Sequence, residues 1–591
     1  MNRRSFLSRA AVLPFAAKGV AIYGTGICTV PNTPLDSNAP DAAPFSAPTA
    51  QPNLDRYHLT LHRVLYGTGP AYTPDFLLED IRATPGRRFT NFSGDVSGRW
   101  IGALSSSAVT FGGNFPELAG VVDRAIALQH PDGYFGKTFH YDHPNDDDLA
   151  LLWGNGRLLV GLMEYYALKP DPAVLASARR LGDFLLRIGP SFNSQKMAEE
   201  FGAAHFASSY ICWTQQTEGL AALYAATGDT HYRDLCAEIS QRIVRRPGDH
   251  VHGYLCSVRG TVDLYHATGD KAHLDRAVAA WKDVMDSGDM LITGGVPEAW
   301  SPKKLRTEGC AECDWLRLNL SLYRATGEPI YLETASNVYF NEFSMNQFNT
   351  GDFGHAMLNA AGTPGIVYVR AWWCCTLHGL RAFSTVQDHV FRLAGNDVFY
   401  DLPLDGQFQS ETFSAQATSK LATRGTVEIR IVKASALHTL SVRKPSWAVA
   451  VTLTRNGRSI SGLRLENMKD GDIVAVQYAM SLSAEKAGDS SSLAHRQAMR
   501  FGPWLLGASA ISNPGYFNEL QSDNHLVLGA TKPSRVKAES AFDVPAAAMT
   551  FAYIPAEFPE QPGRVALHAI AEQTATAPTN WEMAFLIRSK A

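Results

Sequence analysis

Cysteine is scarce, eight residues in a chain of 591, and nothing in their spacing has the look of a disulfide framework. Charge is scarce too: 19% of residues are charged and the two signs nearly cancel, to −4. The chain therefore lacks the basic stripe that nucleic acid demands and has no pull toward an anionic membrane surface. A Gly-rich loop followed by Lys is missing, which removes the cradle for nucleotide phosphates. Asp146-Asp147-Asp148 has no spaced ligand loop around it and reads as a solvated turn, not a calcium site. No apolar run spans a bilayer, since the one candidate, Ala10 to Gly26, is short and broken by Lys18.

With 45% hydrophobic residues over this length, the chain has material for two large cores. Arg3-Arg4 ahead of Phe6-Leu7 and an Ala-rich apolar stretch reads as a twin-arginine-type export signal over residues 1–28. That predicts a periplasmic or secreted protein, exported already folded. Thr29 to Asn53, rich in Pro, Ala, Ser and Asn, reads as a linker.

Residues 54–390 carry helical periodicity and an internal repeat. Leu223-Tyr224-Ala-Ala-Thr227-Gly228-Asp229 recurs from Leu264 to Asp270 and, ending in Glu328, from Leu322. Each Gly sits where a helix C-cap wants a left-handed residue, and an acidic residue then opens a second helix. Gly161 to Tyr166 is a worn copy. Helical hairpins of one build predict a toroid of paired helices, an α/α barrel. Beyond Phe391 the period changes to two, as in Val427-Glu-Ile429-Arg-Ile431, and Asn456-Gly457 signals a hairpin. Residues 391–591 are therefore predicted to form a β-sandwich, with Ala484 to Ser492 as a surface loop, in an α + β multidomain protein.

Glu308-Gly309-Cys310 and the adjacent pair Cys374-Cys375 carry the chemistry. One carboxylate and three thiolates are ligand types that zinc takes. An alternative is a closed tetrathiolate site of Cys310, Cys313, Cys374 and Cys375, and the spacing leaves both open. Asp314, beside Trp315, is a second acid candidate. Trp213, Trp300, Trp315, Trp372 and Trp373 are possible platforms for sugar rings.

Together with Ser97-Gly-Arg-Trp100, Gln129-His-Pro-Asp132-Gly133-Tyr134-Phe-Gly136, Thr293-Gly294-Gly295, Arg443-Lys-Pro445-Ser-Trp447 and Phe501-Gly-Pro503, these motifs span Arg56 to the end. In them the chain resembles the zinc-dependent cysteine glycoside hydrolase family of β-L-arabinofuranosidases. The resemblance implies an (α/α)6 barrel followed by β-sandwich structure, a glycan substrate, and a retaining mechanism. By position it makes Cys374 the nucleophile and gives Glu308, Cys310, Cys374 and Cys375 to Zn2+. It makes Glu298 the acid/base and His250 a sugar-binding residue. A desolvated Glu298 beside Trp300 is expected to stay protonated. Several positions depart from the family. Trp372-Trp373 stands where another Cys is common, and Trp213 where a sugar-contacting His is usual. The His-Glu pair is absent around Ala150 to Trp153, Arg157 replaces a later His, and the gap from Glu298 to Glu308 is short. Turnover of a different pectic or cell-envelope sugar, or zinc-stabilised carbohydrate binding without turnover, are the readings these departures leave open.

Overall fold

In each repeat the Thr hydroxyl bonds back to the Leu carbonyl four residues earlier, at 2.7 Å for Thr227 and 2.8 Å for Thr268 and Thr326. The next residue, Gly228, Gly269 or Gly327, turns left-handed with φ of 69°, 74° and 75°. A Cβ at Gly269 or Gly327 would meet nothing, so there the positive φ, not space, selects glycine. Asp229 and Asp270 then accept the backbone N–H two residues on and start the following helix. At the third copy Pro329 takes over as the first helical residue.

The computed structural model describes residues 52–82, 92–194, 209–300, 306–358, 364–488, 493–517, 524–528, 549–554, 561–571 and 581–589; the segment expected to be an export signal, and all of the expected linker but Pro52 and Asn53, lie outside them. Among the described residues, twelve helices of ten residues or more organise the first part: α1 (Pro52–Tyr66), α2 (Asp95–Phe111), α3 (Pro116–Ala127), α4 (Asp146–Leu168), α5 (Pro172–Phe192), α6 (Thr217–Thr227), α7 (Thr230–Ser240), α8 (Val251–Thr268), α9 (Lys271–Asp286), α10 (Gly309–Thr326), α11 (Pro329–Val338) and α12 (Cys375–Gln387). The even-numbered helices pack in cyclic order, α2 on α4, α4 on α6 and so on to α12, which closes back on α2. Each leans on an odd-numbered helix outside it, and α6 and α8 also touch a second, α5 and α7. The closest approach is between α2 and α4, where a Cβ on Gly161 would sit 2.3 Å from the Gly98 carbonyl oxygen. Outer helices bury one stripe only: α9 hides Leu274, Ala277, Trp281 and Val284, the i, i+3, i+7, i+10 face. Each larger side chain of that stripe contributes about 1.5–3 kcal/mol through burial.

The inner ring encloses charge instead of an apolar core. Glu218 of α6 takes both guanidinium arms of Arg259 at 2.8 and 2.9 Å and faces Arg381 at 3.2 Å, Arg157 at 3.6 Å and Arg317 at 4.0 Å, all buried. Asp314 answers Arg259 and Arg317 from α10, and Glu164 answers Arg381 from α4. Asp146-Asp147-Asp148 is not a turn. It is the first turn of α4, capped by Asn145, and acids there meet the positive end of the helix dipole.

Between α11 and α12 a π-turn (Tyr339–Phe343) leads to an antiparallel pair, β1 (Gly354–Leu358) and β2 (Pro364–Arg370). From Phe391 onward there are three sheets among the described residues, of six, four and eight strands. Phe391 of the four-stranded sheet meets Phe408 of the six-stranded one at 6.0 Å. The third sheet instead bonds the helical part, Leu505 N–H to Asn341 Oδ1 at 2.7 Å. Asn456-Gly457 makes the expected hairpin, both residues at positive φ. Ala484 to Lys486, expected in a loop, lies in the exposed edge strand Leu482–Lys486 paired with Gln497–Phe501, so backbone pairing overrides polar composition. The described helices include none long and apolar enough to cross a membrane.

Candidate active site

Four inner helices bring their N-terminal ends to one end of the ring. His250, Glu308 and Cys374 occupy the N-cap positions of α8, α10 and α12, yet none of these side chains caps its own helix. They turn to one another instead. Asp95 is the first residue of α2.

Glu308, Cys310, Cys374 and Cys375 place their donor atoms within 4.8 Å of one another, all buried. Cys375 Sγ lies 3.6 Å from both Cys310 Sγ and Cys374 Sγ, and Cys374 Sγ lies 4.0 Å from Glu308 Oε1. A zinc ion bound tetrahedrally at about 2.3 Å from each sulfur sets the sulfurs about 3.8 Å apart, so this donor set fits zinc. Cys313 is buried but stands outside the group, which takes Glu308 where a tetrathiolate would take a fourth sulfur. His250 Nε2 sits 3.0 Å from Glu308 Oε2, in the way a second ligand sphere orients a metal-binding carboxylate.

The three thiols are not equivalent. Burial pushes each up, but at Cys374 contacts from Cys310, Cys375 and His355 and the charge of Arg99 outweigh burial and hold the thiol well below its ordinary range. Cys310 and Cys375 are pushed well above it by burial and by Cys374. Cys374 is also the most exposed of the four, at 7% against 3% for Glu308 and 0% for the other cysteines. The thiol with most access to a ligand is therefore Cys374.

Glu298 lies on a segment stitched to two of these helix starts. Its carbonyl accepts from Val251 N–H at 2.9 Å and its N–H bonds Arg306 O at 3.0 Å, and Ala299 bridges His250. Its side chain is fully buried and shares a potential ligand group with His250 and Glu308. Arg306 forks onto both of its oxygens, Nε to Oε2 and Nη2 to Oε1.

Of the tryptophans, Trp213 packs on Phe192 with its N–H on Asn193 Oδ1, Trp300 is edge-on to Tyr254, and Trp315 stacks on Trp281. All three are at most 3% exposed. Trp213 is a packing residue in this structure, remote from the thiols in its contacts, and Trp300 offers no open face. Trp372 and Trp373 are half-buried. Asp314 is not placed as an acid. Burial would raise it, but His378, Arg259 and His252 hold it well below the usual carboxylate range.

Sequence reasoning missed the residues behind the cluster. Arg99 reaches Asp95 Oδ1 with Nε at 2.8 Å, His252 Nε2 with Nη2 at 3.2 Å, and Cys310 Sγ with Nη1 at 3.8 Å. His355 Nε2 lies 3.9 Å from Cys375 Sγ. Asp95 to Arg99, His252 to Cys256 and Cys374 to His378 are i, i+4 pairs, a spacing that could have drawn attention to them.

The sequence pattern of the β-L-arabinofuranosidase GH127 catalytic domain matches residues 87–388, just over half of the chain. The chain belongs to this GH127 family. It is therefore a glycoside hydrolase of β-L-arabinofuranosidase type. Among solved structures it is similar to a GH127 β-L-arabinofuranosidase from Geobacillus stearothermophilus T6, at 16% identity, TM-score 0.68, over 91% of this chain and 99% of that one. A second GH127 β-arabinofuranosidase structure gives 16% identity and TM-score 0.68 over 92% and 97%. At that identity these likenesses speak for a shared GH127 fold alone. No curated protein matches by sequence.

Proposed function

We propose that this chain is an exported, zinc-dependent, retaining exo-glycosidase that releases terminal β-L-arabinofuranose or a closely related sugar from a glycan. Its ring of paired helices is read as an (α/α)6 barrel over 54–390, and the region 391–591 as β-sandwich structure with one added sheet. The observation that carries the reading is the buried Glu308, Cys310, Cys374, Cys375 cluster, in which Cys374 is the most exposed thiol.

In this account Glu308, Cys310, Cys374 and Cys375 hold the zinc ion. Bound there, zinc would keep the thiols deprotonated at neutral pH and make a sulfur able to leave again. Cys374 Sγ attacks the anomeric carbon as the glycosidic C–O bond breaks, and Glu298 gives its proton to the departing oxygen. Water then attacks the same carbon from the opposite side, Glu298 takes the water's proton, and the C–S bond breaks, giving net retention. Arg306, about one-third exposed, must release Glu298 for the first step. His250 orients Glu308 and borders the sugar.

Arg157 supports the alternative of a different sugar. Where family members place a His, this side chain is buried in the lumen on Cys256 Sγ at 3.2 Å. A panel of nitrophenyl glycosides, β-L-arabinofuranoside included, tests the proposal on the zinc-loaded protein and on Cys374→Ala. Activity on one glycoside that disappears in the variant supports it. Hydrolysis by Cys374→Ala at the parent rate overturns it.

A further inference from the structure

Asp95 is held on one oxygen only. Its Oδ1 accepts from Arg99 Nε at 2.8 Å and from the Trp153 indole N–H at 3.0 Å, while Oδ2 accepts no bond among the described residues. Both donors are 3% exposed, so the carboxylate is clamped by two immobile buried groups. The Asp95 side chain keeps 10% of its surface open. It opens at the end of the ring where Cys374 lies, because α2 packs directly on α12 and both present their N-terminal ends. Cys374 and Asp95 each bear on the same guanidinium of Arg99. The Trp153 ring, whose N–H holds Asp95, stands edge-on to His250 at 5.6 Å and His252 at 5.5 Å, so it touches both Asp95 and the His250 that pairs with Glu308.

Resting on the reading of Cys374 as the nucleophile, we infer that Asp95 Oδ2 accepts a hydrogen bond from a ring hydroxyl of the sugar being cleaved, with Trp153 as the positioning residue that aims it. The open oxygen is an acceptor on which a ligand hydroxyl can take the place of water, and a hydrogen bond to a charged group is the stronger kind. The same oxygen selects against anionic sugars. With Glu308 and the Cys374 thiolate alongside, a uronate would bring like charge against Asp95. Neutral sugars with a hydroxyl at that position are the substrate class.

The test compares the parent enzyme, Asp95→Asn and Trp153→Phe on p-nitrophenyl β-L-arabinofuranoside, its 2-, 3- and 5-deoxy counterparts and a matching p-nitrophenyl uronide. Asp95→Asn is expected to lower kcat/KM about 10- to 100-fold on the full sugar, the range of a hydrogen bond to a charged group. One deoxy substrate should show that same fall with the parent enzyme and no further fall with Asp95→Asn. Trp153→Phe should show the same selectivity at smaller size, and it carries the test if Asp95→Asn does not fold. Equal losses on all four sugars, or a parent enzyme that prefers the uronide, overturn the inference. Failure of the nucleophile reading has a separate sign, retained hydrolysis by Cys374→Ala, which leaves the Asp95 pattern readable.

Discussion

Replacing Glu218 by glutamine removes the anion on which four arginines converge. Arg259 makes two bonds to it at 2.8 and 2.9 Å, Arg381 lies at 3.2 Å, Arg157 at 3.6 Å and Arg317 at 4.0 Å. The burial cost of Glu218 is outweighed by these cations, which hold it far below the usual carboxylate range. Glutamine keeps the volume but leaves an excess positive charge in the lumen. Arg317, already brought down to about 10 by burial and by Arg259 and Arg381, should fall further. Breaking a buried ion pair by removing one partner costs about 3–5 kcal/mol. With several arginines left facing one another, the loss should lie in that range and lower the melting midpoint by roughly 4–7 °C. Denaturant titration at neutral pH, followed by tryptophan fluorescence, measures it. Adding Arg381→Met should recover part of the loss, since the two sites share one network. A loss under about 1 kcal/mol, or strictly additive losses, would refute the claim that the lumen is held by charge pairing.

Cys313→Ser should keep one metal ion per chain and near-parental activity, whereas Cys310→Ser should lose most of the metal; elemental analysis after dialysis separates this from a tetrathiolate site. Glu312 and Glu342 are adjacent buried carboxyls, both pushed up by burial and Glu312 also by Glu342, so at least one holds a proton. Glu312→Gln should therefore cost less than about 1 kcal/mol in denaturant titration, the size of one ordinary hydrogen bond. His389 is buried with Nδ1 on Thr385 O at 2.7 Å, and burial lowers it to about 3. Its folded value lies below the unfolded 6.5, so its stabilisation is complete above pH 6.5 and is lost as pH falls toward 3, by at most about 1.4 kcal/mol per unit. A His389→Gln protein should show a shallower loss of stability across that window.

Local signals in the sequence served best where local physics decides. The Leu-Tyr-x-Ala-Thr-Gly-Asp repeats announced helix ends because Thr, Gly and Asp each act within four residues. The Cys374-Cys375 pair and Glu308-x-Cys310 were legible because adjacent thiols and an acid have few other uses together. Glu218, Arg259, Asp314 and Arg381 were not, since charges at helical spacing look the same on a solvated face as in a sealed lumen. Trp213 shows the matching limit: its packing on Phe192 and its bond to Asn193 depend on neighbours that only the fold brings to it. Asp146 to Asp148 needed Asn145 to be recognised as a cap, and the third sheet needed pairings between distant strands.

The central claim is that Cys374 forms a bond to the sugar. Intact-protein and peptide mass spectrometry of the zinc-loaded enzyme, quenched in acid during turnover of a slow aryl furanoside, tests it most directly. The account predicts a pentosyl adduct on the peptide carrying Cys374 and none in Cys374→Ala. Steady turnover with Cys374 unmodified and the adduct on Glu298, or an adduct that persists in Cys374→Ala, would contradict it.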